Sequence, residues 1–256
     1  MEREVKRYPN LAALGKAAAE FISTLAVECV NEHGVFTIAL SGGKTPISLY
    51  QNLAKPPYQP RMPWSHIHLF WGDERCVPSD HPDSNFAMAF RSLISKVPIT
   101  PRNVHRIPGE VEPPEDAAAA YENFLREFFG STLQRDRHSN VSSMSESFPS
   151  FDLILLGMGK DGHTASLFPG DEAVEGEKRW MAAVRNPRGS PLVPRITLTL
   201  PVINRARCIL FLVSGSGKEK VLRTILEDPD SAARLYPAAR VMPDGRVVWF
   251  IDEETV

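Results

Sequence analysis

The sequence predicts an α/β protein: a three-layer, Rossmann-like, mostly parallel sheet with helices on both faces. Three observations predict it. Short apolar runs alternate with longer segments of helical periodicity along most of the chain, the pattern that builds a parallel sheet covered by helices. The runs VFTIAL (35–40), FDLILL (151–156) and CILFLV (208–213) are apolar throughout, as strands buried on both faces are. Four strand-like runs are also followed by tails rich in Gly and polar or charged residues.

The elements follow in order. From Leu11 to Val30 the residues Leu14, Ala17, Ala18, Phe21, Ile22, Leu25 and Cys29 recur at steps of three and four. That spacing predicts an amphipathic helix, ended by Gly34. Residues 35–40 form a buried strand, and 45–54 start a helix with Pro46 in its first turn. HIHLFW (66–71) is the next strand. Residues 84–94 are helical behind Ser84, a suitable N-cap. EDAAAAYENFLREFFG (115–130) is a helix ending at Gly130. Residues 131–150 hold seven serines and few large apolar residues, which predicts a mobile surface loop. Strands at 151–156, 195–200, 208–213 and 247–252 complete the sheet, with a helix at 217–228. No internal repeat is visible, and residues 1–256 read as a single domain.

Composition narrows the function. The chain has 256 residues, with 29 Lys+Arg against 31 Asp+Glu and a net charge of −2. This near-cancellation argues against a protein that coats nucleic acid or an acidic membrane face. The three cysteines, Cys29, Cys76 and Cys208, are isolated in sequence, so neither a zinc ribbon nor a disulfide scaffold is expected. A reduced, cytoplasmic setting fits. No run approaches the ~20 apolar residues of a membrane span, and the charged start MEREVKRYPN is unlike a signal peptide.

In open α/β sheets ligands bind beyond the carboxyl ends of the strands, so the four tails are the places to look. SGGKTP (41–46) joins a strand to a helix. Glycines let the backbone approach an anion, and the first N–H groups of the helix point at it; a plain tight turn explains the same residues equally well. Gly43, Lys44 and Thr45 imitate the end of a P-loop, but Ile38 stands where that motif needs its first Gly, which excludes a triphosphate loop. GDERCVP (72–78) places Asp73 and Arg75 after a strand, suited to hydroxyl and anion recognition and equally to a salt-bridged turn. SGSGKEK (214–220) offers Lys218 at a helix start, and Arg195 is a further cation.

GMGKDGHTASLFPG (157–170) is the richest tail. Gly157, Gly159 and Gly162 match GxGxxG, but Pro169-Gly170 stops the helix that dinucleotide binding requires. Asp161 and His163 offer the other reading. A carboxylate beside an imidazole fixes its tautomer for general-base work near neutral pH, although a structural turn histidine is as common. His66 and His68 could share a strand face, yet no third ligand has recognisable spacing. Cys76 has no local argument as a nucleophile. Phe124, Phe128 and Phe129 fall at helical spacing and read as core.

These tails, in this order, resemble the glucosamine-6-phosphate isomerase/6-phosphogluconolactonase family, and its lactonase branch in particular. The resembling stretches are LSGGKTP (40–46), FWGDERCVP (70–78), DSNFAMA (83–89), residues 151–170, RITLTLPVINRA (195–206), SGSGKEKVL (214–222) and residues 236–252. The likeness covers essentially the whole chain except 131–150. In the deaminase branch the histidine is followed by a run resembling IAFNEP, whose acidic residue serves isomerisation. Here the run is TASLFP, so Phe168 occupies that position, and a phenyl ring cannot exchange protons.

The resemblance implies hydrolysis of 6-phospho-D-glucono-1,5-lactone. It implies His163 as the base, Asp161 as its orienting carboxylate and Arg75 near the lactone end. It places the phosphate against Ser41, Gly42, Gly43, Lys44 and Thr45, with Arg195 and Lys218 as counter-charges, and puts Asp73, Asn85 and Gly159 in the substrate site. No electron moves and the ester is reactive, so neither cofactor nor metal is expected. The expected partner is the phosphosugar lactone, with no nucleic acid and no membrane; the sequence does not fix the oligomeric state, and a monomer is one reading. The competing readings are a phosphosugar isomerase or deaminase of the same fold, and a non-catalytic sugar-phosphate sensor. A sensor would need a helix-turn-helix, for which residues 1–35 have no room.

Overall fold

The computed structural model describes residues 3–135, 148–176 and 178–253. In chain order the elements are β1 (Arg3–Tyr8), α1 (Leu11–His33), β2 (Phe36–Leu40), α2 (Thr45–Leu53), β3 (Ile67–Trp71), β4 (Asp73–Arg75), α3 (Asn85–Ser92), α4 (Pro114–Arg135), β5 (Leu153–Leu156), β6 (Met181–Val184), β7 (Arg195–Leu198), α5 (Leu200–Ile203), β8 (Cys208–Val213), α6 (Glu219–Glu227), α7 (Pro229–Leu235) and β9 (Arg246–Asp252).

Six strands form one sheet in the order β1-β9-β8-β5-β2-β3, and every pairing in it is parallel. Residues of β2, β5 and β8 are buried without exception, which is why their sequences are continuously apolar. Phe211 and Trp249 stack across β8 and β9 with ring centroids 3.8 Å apart. The chain steps outward from β2 to β3, then crosses back to β5 and onward to β8 and β9. Because such crossovers are right-handed, the reversal moves the later helices to the opposite face from α1 and α2. The boundary between β2 and β5 is therefore the topological switch point, where a crevice opens at the carboxyl ends of the strands.

A second, three-stranded sheet has the order β4-β7-β6 and is antiparallel. The expected strand at 195–200 is its central strand β7, not part of the main sheet. Gly72 joins the two sheets. Its N–H donates to the Leu40 carbonyl at 2.9 Å, and its own carbonyl accepts from the Leu198 N–H at 2.8 Å.

Helix ends follow local chemistry. Asn10 caps α1 by accepting from the Ala13 N–H at 2.9 Å, and Gly34 closes it at φ +83°, a conformation that suits glycine. Ser84 caps α3. The expected end of the long helix at Gly130 is corrected: α4 continues to Arg135, because one glycine costs only ~1 kcal/mol within a helix. The predicted loop at 131–150 is thus helical in its first five residues, and its middle, 136–147, lies outside the described residues. The charged N-terminal segment contains the edge strand β1, paired from Arg3↔Val247 to Tyr8↔Asp252.

Of the histidine pair, only His68 enters the interior packing. His66 is exposed and its Nδ1 lies 3.1 Å from the Gly34 carbonyl, whereas His68 Nδ1 lies 3.0 Å from His105 Nε2. His68 and His105 stack among Phe70, Phe124 and Phe128. Burial pushes His105 down to about 4. No helix among the described residues is long and apolar enough to cross a membrane.

Candidate active site

The crevice at the switch point holds a cleft of about 340 Å³. All four tails reach it. Ser41, Gly42, Gly43, Lys44 and Thr45 come from the end of β2, Asp73 and Arg75 from β4, Gly159 and His163 from beyond β5, and Lys218 from beyond β8. Arg195 enters from β7. Two of the residues singled out in the sequence, Asp161 and Asn85, do not line the cleft; each stands behind a residue that does.

Asp161 stands behind His163. Its Oδ1 lies 2.6 Å from the ring Nδ1 and accepts the His163 backbone N–H at 3.2 Å. The Nδ1–H is thereby committed to the carboxylate, which leaves Nε2 as the basic nitrogen. Burial alone would raise the Asp161 carboxyl, but the hydrogen bond and charge of His163 outweigh it, and the carboxyl lies below its usual value. Gly159 is fixed by sterics. A Cβ there would collide with Cε1 and Nδ1 of His163 and come within 2.6 Å of Asp161 Oδ1. Phe168 is buried behind the imidazole, with ring centroids 4.6 Å apart. On its other side the Arg195 guanidinium lies 5.9 Å from the ring centroid.

Asn85 stands behind Asp73. Its Nδ2 donates to the Asp73 carbonyl at 2.8 Å and to Oδ1 at 3.3 Å, while the Ser166 hydroxyl donates to Asp73 Oδ2 at 2.7 Å. Asn85 also explains Gly42, since a Cβ there would overlap the Asn85 amide. Glu74, fully buried, accepts the backbone N–H groups of Arg75, Asn85 and Phe86 and the Ser84 hydroxyl, so it fixes the start of α3 against β4. Burial nevertheless raises its carboxyl.

The cleft is rich in positive charge. Arg75 donates through Nη1 to the Asp83 carbonyl at 2.7 Å, and Arg195 through Nη2 to the Gly189 and Pro191 carbonyls at 3.0 and 2.9 Å. The Nε of each is buried without a hydrogen-bond partner among the described residues. Lys218 donates to the Ser214 carbonyl at 2.7 Å. Burial lowers Arg195 and Lys218 from their ordinary values, with Asp73 and Asp252 respectively opposing it. No side chain caps α2, which begins at the SGGK turn with Gly43 at φ +89°; helix starts of this kind hold anions.

Ala165, another lining residue, adopts φ +48°, the one positive φ outside glycine among the described residues. Beyond Gly162 the chain forms turns and a Thr164–Leu167 bridge rather than a helix, so no helix start is aimed at a dinucleotide. Sequence reading missed three contributors. Gly189 and Ser190 line the cleft from the loop before β7, and their Gly-Ser-Pro turn was the available signal. Ser166, which secures Asp73, carried no signal at all.

An open parallel α/β sheet with an anion-suited cleft and a histidine–carboxylate pair at its switch point defines a class of α/β proteins that handle small anionic ligands. The chain belongs to the glucosamine-6-phosphate isomerases/6-phosphogluconolactonase family, whose model matches residues 9–249. A 6-phosphogluconolactonase of Synechocystis is 41% identical over 245 residues, covering 96% of this chain and 93% of its own. The crystal structure of 6-phosphogluconolactonase from Thermotoga maritima aligns with a TM-score of 0.78 at 30% identity, over 98% of this chain and 100% of that one. The 6-phosphogluconolactonase structure from Trypanosoma brucei aligns with a TM-score of 0.81 at 27% identity, over 99% and 97%.

Proposed function

We propose that this protein hydrolyses 6-phospho-D-glucono-1,5-lactone to 6-phospho-D-gluconate, the second step of the oxidative pentose phosphate pathway. The observation that carries the reading is the His163–Asp161 pair on a cleft walled by cations, with Phe168 where the deaminase branch has an acid. Family membership and the lactonase relatives support it.

In this reading the substrate phosphate sits at the start of α2, against Gly42, Gly43 and Thr45, with Lys44 at its rim and Arg195 and Lys218 as counter-charges. Asp73 takes a sugar hydroxyl. His163 Nε2 removes a proton from water, and the resulting hydroxide attacks C1. The tetrahedral oxyanion is stabilised by the Arg75 guanidinium, as donors aimed at developing charge do. Collapse breaks the bond from C1 to the ring oxygen. The imidazolium returns its proton to that oxygen, now the C5 hydroxyl, and the new carboxylic acid ionises to solvent. Asp161 stays ionised throughout and stabilises the imidazolium.

The test is lactone loss. The lactone is generated in situ by enzymatic oxidation of glucose 6-phosphate, and its disappearance is followed with and without the protein, the spontaneous opening being subtracted. Acceleration supports the reading. No acceleration, with sugar phosphates still raising Tm, would instead make this a sensor.

A further inference from the structure

A second cluster of chemically reactive side chains lies at the opposite end of the sheet. Cys29 and His33 are four residues apart on α1 and so share one helical face. Asp152 immediately precedes β5. One ligand-type atom from each of the three lies within 4.8 Å of the others. The cluster sits at the amino ends of β2 and β5, about 15 Å from the cleft by strand length. It has no part in the chemistry above.

We infer that Cys29, His33 and Asp152 form a binding site for a borderline divalent cation of the zinc type. The donor set carries this: a thiol, an imidazole and a carboxylate are the ligand types such an ion takes. The spacing agrees. Tetrahedral ligands at bond lengths of about 2.0–2.3 Å stand roughly 3.3–3.8 Å apart, so closing the site needs shifts of up to about 1.5 Å.

The surroundings agree as well. Asp152 is held firmly, its Oδ2 accepting both the N–H and the hydroxyl of Thr37 at 2.8 Å. That is the outer-shell support that ordered metal ligands have. Its Oδ1 faces His33 Nε2 at 3.1 Å. Nε2 is thus the ring nitrogen that shares the site with Asp152. The exposed Glu32 carboxylate lies 3.9 Å from the other ring nitrogen, Nδ1, and is not counted among the ligands. One cation opposes the site: Arg207 Nε is 3.6 Å from Asp152 Oδ1, on a side chain 54% exposed that can turn into solvent. Burial, with Asp152 adding to it, holds the Cys29 thiol protonated, pushed up to about 12. Metal uptake therefore forms the sulfur–metal bond and releases that proton to solvent.

The experiment titrates the metal-stripped full-length protein with Co(II), then Zn(II). The expected result is uptake of one Co(II), a thiolate-to-cobalt charge-transfer band in the near ultraviolet, and loss of that band on adding Zn(II). Cys29→Ala should abolish the band with its circular dichroism unchanged. His33→Gln should weaken Co(II) binding about 10-fold or more, and keeps the test open should Cys29→Ala fail to fold. Wild-type protein that shows no thiolate band overturns the inference. So does a band that persists in Cys29→Ala, which would assign the thiolate to Cys76 or Cys208, or an unchanged affinity in His33→Gln.

Discussion

Arg75 and Arg195 are direct cross-strand partners in the antiparallel pairing of β4 and β7. Like charges placed opposite each other cost stability, and here both Nε groups are also buried without partners among the described residues. An anion lying across the pair relieves both costs. In the proposed substrate, C5 carries both the ring oxygen bonded to C1 and the phosphorylated C6, so carbonyl and phosphate are only a few bonds apart. Adjacent arginines suit such a molecule, one for each end.

The two arginines should therefore fail differently. Arg195→Ala removes binding shared by ground and transition states and should raise KM about 10- to 100-fold with kcat little changed, since hydrogen bonds to charged groups are worth ~1.5–3 kcal/mol. Arg75→Ala should lower kcat instead. Steady-state kinetics on both variants checks this, and an unchanged KM in Arg195→Ala removes it from the phosphate site.

His163→Ala should lower kcat by about 10²- to 10⁴-fold, the usual worth of a general base. Its affinity for 6-phosphogluconate, read by calorimetry, should hardly move. Asp161→Asn keeps the shape but loses the anion that fixes the Nδ1–H tautomer. It should lower kcat in the same direction, again without loss of product binding.

Gly159→Ala tests the same pair by sterics alone. The added methyl group displaces His163 and Asp161 while touching no group assigned to the phosphate. Misplacement of a catalytic group by about 1 Å can cost ~10²-fold in rate, so kcat should fall by about that factor. A variant with wild-type kcat would show that the imidazole position is unimportant.

Lys218 provides a pH prediction. Burial, opposed by Asp252 and aided by Lys160, puts its ammonium below the ordinary lysine value. It therefore gives up its proton earlier on the alkaline side, and the affinity for 6-phosphogluconate should fall as pH rises through that lowered value. Lys218→Arg keeps its charge throughout and should flatten the alkaline limb of Kd against pH. An identical limb in both proteins removes Lys218 from the phosphate site.

Ser84→Ala should destabilise the fold by about 1–2 kcal/mol, read by denaturant unfolding. It removes the cap that accepts the Ala87 N–H and one of the donors to buried Glu74.

The legible parts of the molecule were those whose signal is local. Strands β2, β5 and β8 announce themselves because burial on both faces forces continuous apolar runs. Strand β1 does not, because it is an edge strand whose residues Glu4 to Arg7 are exposed; edges are kept charged to discourage pairing with other chains. Met181–Val184 is too short and too small-chained to read as a strand. In the site, the Asp161–His163 relation is legible since only Gly162 stands between them. The opposition of Arg75 to Arg195 depends on a register between distant segments, and Asn85 reads as a ligand contact until its burial behind Asp73 is seen.

The joint at Gly72 gives the cleft a fixed gauge. One residue, Gly72, is bonded to Leu40, the last residue before the SGGK turn, and to Leu198, on the strand that carries Arg195. The anion-holding turn and the arginine pair are thus bolted to a common point and cannot slide apart independently. A cleft held this way measures its ligand by length.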